Sequence, residues 1–265
     1  MRILVTNDDG INAPGLAIAE RIAHDIAGAD GEVWVVAPEG ERSGVGHCIS
    51  YVGPVRYAQQ GERRYSVDGY PADCVLIGLN QILQGKPVDL VLSGVNRGHN
   101  VAEDVVYSGT AGAAMEGGLN RVRSIALSQF YRSTDGAPDD LWSASRTLGT
   151  EAVRAVLAMP STDTVFYNVN FPAVDASDVA GIKVCPQGIR AEATFEVTDV
   201  TSPSGRTFHF YKHRTANISA PEGSDARLCI EGWITATPLR PNLTAHDLMD
   251  AAVGALPASF PSAAP

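Results

Sequence analysis

The hydrophobic positions of the chain fall into short apolar runs separated by amphipathic stretches. Arg2 to Thr6 is a short run rich in branched residues, the pattern of a buried strand. Pro14 opens a stretch to Ala27 in which Leu16, Ala19, Ile22, Ala23 and Ile26 share one helical stripe, and Gly28 and Gly31 follow it. Glu32 to Ala37 is the next apolar strand, closed by Pro38. Strand, helix and strand in this order make a βαβ unit, which predicts a parallel sheet.

The alternation continues along the chain. Tyr51 to Tyr57 and Arg64 to Val67 read as short strands around Gln59-Gln60-Gly61. Pro71 starts a helix to about Leu83, and Val88 to Leu92 is a buried strand. Ser93 to Tyr107 is a long polar loop, then Ser108 to Leu119 a helix of small residues. A strand at Ser124 to Ser128, a helix at Asp140 to Leu157 and a strand at Thr164 to Asn170 complete the series. The pattern predicts a doubly wound α/β core over residues 1–185 with a mostly parallel sheet. Residues 186–240 change rhythm and read as a β-rich extension, with a turn at Ser202-Pro203-Ser204-Gly205 and a last strand at Cys229 to Leu239. Residues 241–265 hold a short helix at Ala245 to Val253 and a tail rich in Ala, Pro and Ser from Gly254.

Charge narrows the partners. A formal net charge of −10 argues against a protein that grips a nucleic-acid duplex, which needs Lys/Arg-rich surface to displace counterions. A small phosphorylated ligand remains compatible if a local device offsets the negative field. No apolar run is long enough to span a membrane, and the first apolar run is too short for a secretion signal. Cys48, Cys74, Cys185 and Cys229 are far apart and form no C-x-x-C, which suits buried thiols in a reducing cytoplasm better than a disulfide frame or a zinc site.

In an open parallel sheet, ligands bind beyond the carboxyl ends of the strands. Three polar loops leave such ends: Asn7-Asp8-Asp9-Gly10, Glu39 to His47, and Ser93 to Tyr107. Adjacent carboxylates repel unless a cation sits between them, and an all-oxygen set favours Mg²⁺, Mn²⁺ or Ca²⁺ over zinc. The pair equally reads as a helix cap beside a solvated turn acid. Ser93-Gly94-Val95-Asn96-Arg97-Gly98 adds neutral oxygen donors, or is an ordinary Asn/Gly turn. Tyr107-Ser108-Gly109-Thr110 opens a helix whose free N–H groups suit a phosphate, or is a plain cap. Arg42-Ser43-Gly44 offers another hydroxyl and a cation.

Competing templates fit poorly. Gly44-Val45-Gly46 lacks the third glycine of a dinucleotide loop, and Gly85-Lys86 is followed by Pro87 without the Walker glycine. No G-x-S-x-G elbow and no H-E-x-x-H occurs.

Taken together, Thr6-Asn7-Asp8-Asp9-Gly10-Ile11-Asn12-Ala13-Pro14-Gly15, Val36-Ala37-Pro38 with Arg42-Ser43-Gly44, and Gly69-Tyr70-Pro71-Ala72-Asp73-Cys74-Val75 resemble the SurE family of survival proteins. So do Asp89 to Gly98, Asp104, Tyr107 to Thr110, Ala114-Met115-Glu116-Gly117 and Asn168-Val169-Asn170-Phe171-Pro172. The resemblance implies a Rossmann-like core and a metal-dependent phosphatase acting on nucleoside monophosphates, with some members also hydrolysing short polyphosphate. It implies one divalent ion per subunit on Asp8, Asp9, Ser43 and Asn96. Ser108, Gly109 and Thr110, with Asn96, are implied at the phosphate, and the β-rich extension in a homodimer or homotetramer. The C-terminal match is weaker: Ser224-Asp225-Ala226-Arg227-Leu228 stands where the family has Thr-Asp-x-His-Ala, so the family's His is Arg227 here, and His47 and His99 are the candidate substitutes.

Such a site would use Asp8 to orient or deprotonate a water, or Asp8 itself as nucleophile, with Asp9 beside it. Two rivals stand next to this reading. A haloacid-dehalogenase-type phosphatase needs D-x-D, whereas here the acids adjoin and Gly10 follows. A sensor module would bind metal and nucleotide without turnover. Phe208, Phe210, Tyr211 and Trp233 in the extension call for burial against a second subunit.

Overall fold

The computed structural model describes residues 1–131, 140–162, 164–192, 194–213 and 219–255. In chain order the elements are β1 (Arg2–Thr6), α1 (Pro14–Ala27), β2 (Glu32–Pro38), β3 (Tyr57–Gly61), β4 (Arg64–Val67), α2 (Pro71–Ile77), β5 (Leu90–Arg97), α3 (Asp104–Tyr107) and α4 (Gly109–Leu119). Then come β6 (Arg123–Gln129), α5 (Ser143–Leu157), β7 (Phe166–Phe171), β8 (Gly181–Val184), β9 (Phe195–Thr201), β10 (Thr207–His213), α6 (Asp225–Ile230), β11 (Trp233–Leu239) and α7 (Met249–Gly254).

Nine strands make one sheet in the order β3-β4-β2-β1-β5-β6-β7-β11-β8. From β4 to β7 every neighbour pair is parallel, and antiparallel β3 caps one edge. Successive side chains of a strand point to opposite faces. Thus Ile3 and Val5 enter the core under α1 and α5, while Leu4 joins Trp34, Val36, Cys74, Val75 and Ala113 under α2 and α4. Burial on both faces is why these runs are apolar throughout. The chain moves outward from β1 to β2, then back across to β5, so the loops after β1 and β5 diverge and open a crevice there.

Several elements differ in extent from the pattern-based expectation. Gln59-Gln60-Gly61 lies on β3, and the turn is at Glu62 and Arg63. Residues 51–56 are not strand; Pro54 cannot donate to a ladder. The helix from Pro71 passes into a π-helical turn over Gly78–Ile82. β5 runs on to Arg97, because its polar end pairs Asn96 with Ser128 and Arg97 with Gln129. Cys229 is helical, since the Ser224 hydroxyl caps α6 and accepts from the Arg227 N–H. The last strand therefore begins at Trp233, and it enters the main sheet between antiparallel β7 and parallel β8. Among the described residues only β9 and β10 stand apart, as a two-stranded hairpin. Trp233 is half-buried, with Lys183 Nζ 3.7 Å over its ring. Most of the tail expected after Gly254 lies outside the described residues.

The first turn of α1 touches β5 so closely that a Cβ on Gly15 would sit 1.9 Å from the Val95 carbonyl oxygen. Alanine favours helices over glycine by about 1 kcal/mol. Here the overlap with backbone decides the sign, and Gly15→Ala is expected to destabilise by about 1–3 kcal/mol. Urea unfolding reads this directly; an unchanged or higher midpoint would mean that α1 shifts freely on the sheet.

Candidate active site

Asp8 and Asp9 lie just past the end of β1, after Asn7, where Asn7 and Gly10 reverse the chain. The Asn7 side-chain amide donates to the Gly10 carbonyl at 3.0 Å, and the Gly10 N–H donates back to Asn7 Oδ1 at 3.3 Å. Gly10 has φ +102°, which only glycine adopts readily. The turn sends the two acids to different neighbours. The Thr110 hydroxyl donates to Asp8 Oδ1 at 2.6 Å, tying this carboxylate to the amino end of α4. Asp9 Oδ2 accepts the Arg97 N–H at 3.1 Å, at the end of β5.

The loop after β2 closes over this pair. The Arg42 N–H donates to the Asp8 carbonyl at 2.7 Å, and the Gly46 N–H to the Tyr107 carbonyl at 2.8 Å. Ser43 is carried to the cleft between these anchors, its hydroxyl donating to Glu41 Oε1 at 3.0 Å. The Asn96 side-chain nitrogen donates to the Gly98 carbonyl at 2.9 Å. That fixes the amide and leaves Asn96 Oδ1 without a partner among the described residues. Ser108 caps α4, its oxygen accepting the Ala111 N–H at 3.0 Å.

A cavity of about 160 Å³ brings together Asp8, Ser43, Asn96 and Ser108 from the expected set, with Arg97, His99, Asp104, Tyr107, Phe195 and His213. Asp9 and Thr110 are not on its wall and reach it through Arg97 and Asp8. Gly109, the first residue of α4, lies between Ser108 and Thr110. Of the histidines named from sequence, His99 lines the cavity, whereas His47 Nε2 is 2.7 Å from Glu116 Oε2 on α4. Arg227 lies on α6 and donates to Glu231 at 2.8 Å.

Burial dominates the electrostatics. It pushes the Asp8 carboxyl up to about 7, against the Thr110 hydrogen bond and with the Asp9 charge adding to the rise. Burial also raises Asp9, with Glu41 adding to it and the Arg97 N–H opposing. Two carboxylates, a hydroxyl and a free amide oxygen are hard donors, and they suit a hard divalent cation. Among the described residues no cluster of three or more His, Cys, Asp or Glu could hold a metal, so any such site must draw on neutral oxygens.

A second cluster escaped the sequence reading. Arg190 forks onto Asp104 at 2.8 and 2.6 Å, and its side chain is only 3% exposed. It also reaches Glu103 Oε1 at 3.3 Å. His213 Nε2 is 3.0 Å from Asp104 Oδ1, and His99 Nε2 is 3.7 Å from Asp104 Oδ2. Burial raises the Asp104 carboxyl, but the hydrogen bonds from His213 and Arg190 outweigh it and hold the group at about 2. Partners 86 and 109 residues apart leave no local spacing to find. Asp104 alone was in a recognisable motif.

These features define a doubly wound α/β protein with a polar, acid-bearing cleft at the switch point of its parallel sheet. The chain belongs to the SurE family: residues 3–194 match the family described as Survival protein SurE. A protein named 5'-nucleotidase SurE from Roseobacter denitrificans (strain ATCC 33942 / OCh 114) is 50% identical over 253 residues, covering 94% of this chain and 97% of its own. One of the same name from Cereibacter sphaeroides (strain KD131 / KCTC 12085) is 50% identical over 251 residues, covering 93% and 96%. The crystal structure of the SurE protein from Aquifex aeolicus matches with a TM-score of 0.79 at 34% identity, over 95% of this chain and 98% of that one. The family and the fold class expected from sequence are both borne out.

The raised Asp8 value carries a stability consequence. A carboxyl with a raised folded pKa holds its proton more tightly in the folded chain. Stability from this group is therefore present at low pH and lost as pH rises from 3.8 to about 7. At about 1.4 kcal/mol per unit, the loss is a few kcal/mol. A divalent cation beside the ionised pair would restore it. Mn²⁺ is expected to raise Tm more at pH 8 than at pH 5, and Asp8→Asn to shrink that difference. Equal metal effects at both pH values would contradict the assignment.

Proposed function

We propose that this chain is a metal-dependent 5'-nucleotidase, hydrolysing nucleoside monophosphates to nucleoside and phosphate. Asp8, Asp9, Ser43 and Asn96 hold one Mg²⁺ or Mn²⁺ per subunit, and Ser108, Gly109 and Thr110, with Asn96, hold the phosphate. The observation that carries the reading is the Asp8 carboxylate. It is buried at a strand end, flanked by a second acid, and bonded through Thr110 to the start of an eleven-residue helix. The name shared by the half-identical relatives points the same way.

When bound, the ion supplies positive charge for a phosphate oxygen and acidifies its water. The chain's own groups do the rest. Thr110 pins one Asp8 oxygen, so the other is the one available to orient the attacking water and accept its proton. The amino end of α4 stabilises negative charge that develops on the phosphoryl oxygens. Asp9 stays fixed on the Arg97 N–H and contributes charge to the cation rather than basicity to the water. Short polyphosphate presents the same terminal phosphoryl group and is a second expected substrate.

Phosphate release from a nucleotide panel tests this reading. EDTA is expected to abolish it and Mg²⁺ or Mn²⁺ to restore it; full activity in excess EDTA would refute the mechanism. Asp8→Asn should lower kcat at least about 10²-fold even at saturating metal, the usual scale for a lost general base. Asp9→Asn should chiefly raise the metal concentration required. The opposite pattern would exchange the two roles. Tight nucleotide binding without any turnover would favour the sensor reading.

The hairpin and the thiols support a reading of assembly and compartment. Val197, Val200, Phe208, Phe210 and Tyr211 of the hairpin are each more than half exposed. Exposed apolar strands attract partners, which supports a homodimer or homotetramer built through this arm. Light scattering at micromolar concentration should give two or four chain masses; a monomer would overturn this. The four cysteines are free thiols, in keeping with a cytoplasmic enzyme. No helix among the described residues is long and apolar enough to cross a membrane.

A further inference from the structure

We propose that His213 is a catalytic residue, the proton donor to the nucleoside oxygen as the phosphate ester breaks, with Asp104 and Arg190 as the positioning pair behind it. This rests on the reading that the phosphate lies between Asp8 and Ser108.

His213 ends β10, so the hairpin delivers it to the wall of the cavity that Asp8, Asn96 and Ser108 also line. Its Nε2 is 3.0 Å from Asp104 Oδ1. Asp104 is itself immobilised, because buried Arg190 grips both of its oxygens. The rings of Phe195 and His99 stand edge-on to the imidazole, at 5.5 and 6.0 Å between centroids, and hold its plane. With Nε2 committed to the carboxylate, Nδ1 is the remaining nitrogen, and it has no partner among the described residues. A ring oriented through one nitrogen by a buried carboxylate, with the other free, is the arrangement that serves proton transfer.

The other candidates on the same wall fit the task less well. The His99 side chain is 9% exposed against 33% for His213, and it packs edge-on to Phe130 at 4.5 Å. Tyr107 stands edge-on to Phe195 at 5.1 Å, and no carboxylate is bonded to its hydroxyl among the described residues.

The reaction needs such a donor. A nucleoside leaves as an alkoxide, a poor leaving group. Water oxygen bonds to phosphorus, the bond from phosphorus to the ester oxygen breaks, and its electron pair stays on that oxygen. The proton from His213 Nδ1 converts it to the alcohol. The proton released by the attacking water leaves through Asp8 to solvent, and the imidazole is reprotonated from solvent. The sum is one water added across one ester.

The test varies the leaving group. The full-length Mn²⁺-loaded enzyme, its His213→Gln variant and its Thr110→Ala variant are assayed with adenosine 5'-monophosphate and with p-nitrophenyl phosphate. The second substrate departs as a stable phenolate and needs no proton. For His213→Gln, kcat on the nucleotide should fall about 10²- to 10³-fold with KM little changed, the scale of a lost general acid. On p-nitrophenyl phosphate the fall should be a few-fold at most, which also reports an intact fold. Equal losses on both substrates, a change in KM alone, or no loss on the nucleotide would each overturn the proposal. Thr110→Ala should impair both substrates alike. Full activity of that variant on both would instead overturn the underlying phosphate site.

Discussion

The burial of Asp8 is the constraint on which the rest of the site depends. A carboxylate at the end of a central parallel strand, with another acid next to it, is costly to ionise in an apolar setting. One neighbour offsets its charge directly, and the others fix the loops around it. α4 begins there, so that Thr110 donates to it. β5 extends past the apolar core, so that Arg97 donates to Asp9. The loop after β2 folds across, so that Arg42 donates to the Asp8 carbonyl and Ser43 arrives at the cleft. Even so the carboxyl stays well above its ordinary value, and a bound cation would be the missing charge.

The buried Asp104–Arg190 pair has the opposite electrostatic sign of outcome. It too is desolvated, but its charges are matched and the aspartate is held low. Removing one member of such a pair leaves an unmatched buried charge, which is strongly destabilising. The pair joins the core to the hairpin, because Asp104 on α3 meets His213 on β10. The arm expected to assemble subunits is thereby also a wall of the cleft.

The core was legible because its signals are local. Buried parallel strands are continuous apolar runs, and α1 carries one apolar stripe after a proline. The loops that carry the acids, Ser43, Asn96 and Ser108 to Thr110 could be placed at strand ends because doubly wound sheets gather ligands there, whereas the roles expected of these residues came from the family resemblance. Elements shaped by non-local pairing were not. The end of β5 is polar and resembles a loop until β6 pairs with it. Gln59-Gln60-Gly61 has turn chemistry, yet edge pairing with β4 makes it strand. The apolar character of 229–239 suggested one strand, while a Ser-Asp start signalled a helix over its first part. Asp104, Arg190 and His213 meet only in three dimensions.

The mechanism requires that Asp8, Asp9, Ser43 and Asn96 form one cation site. The most direct measurement is the anomalous difference density of Mn²⁺ in crystals of the protein grown with the ion and phosphate. A single strong peak within about 2.0–2.6 Å of oxygens from all four side chains is the predicted result. A peak seated instead among His99, Asp104 and His213, with none at Asp8, would contradict it.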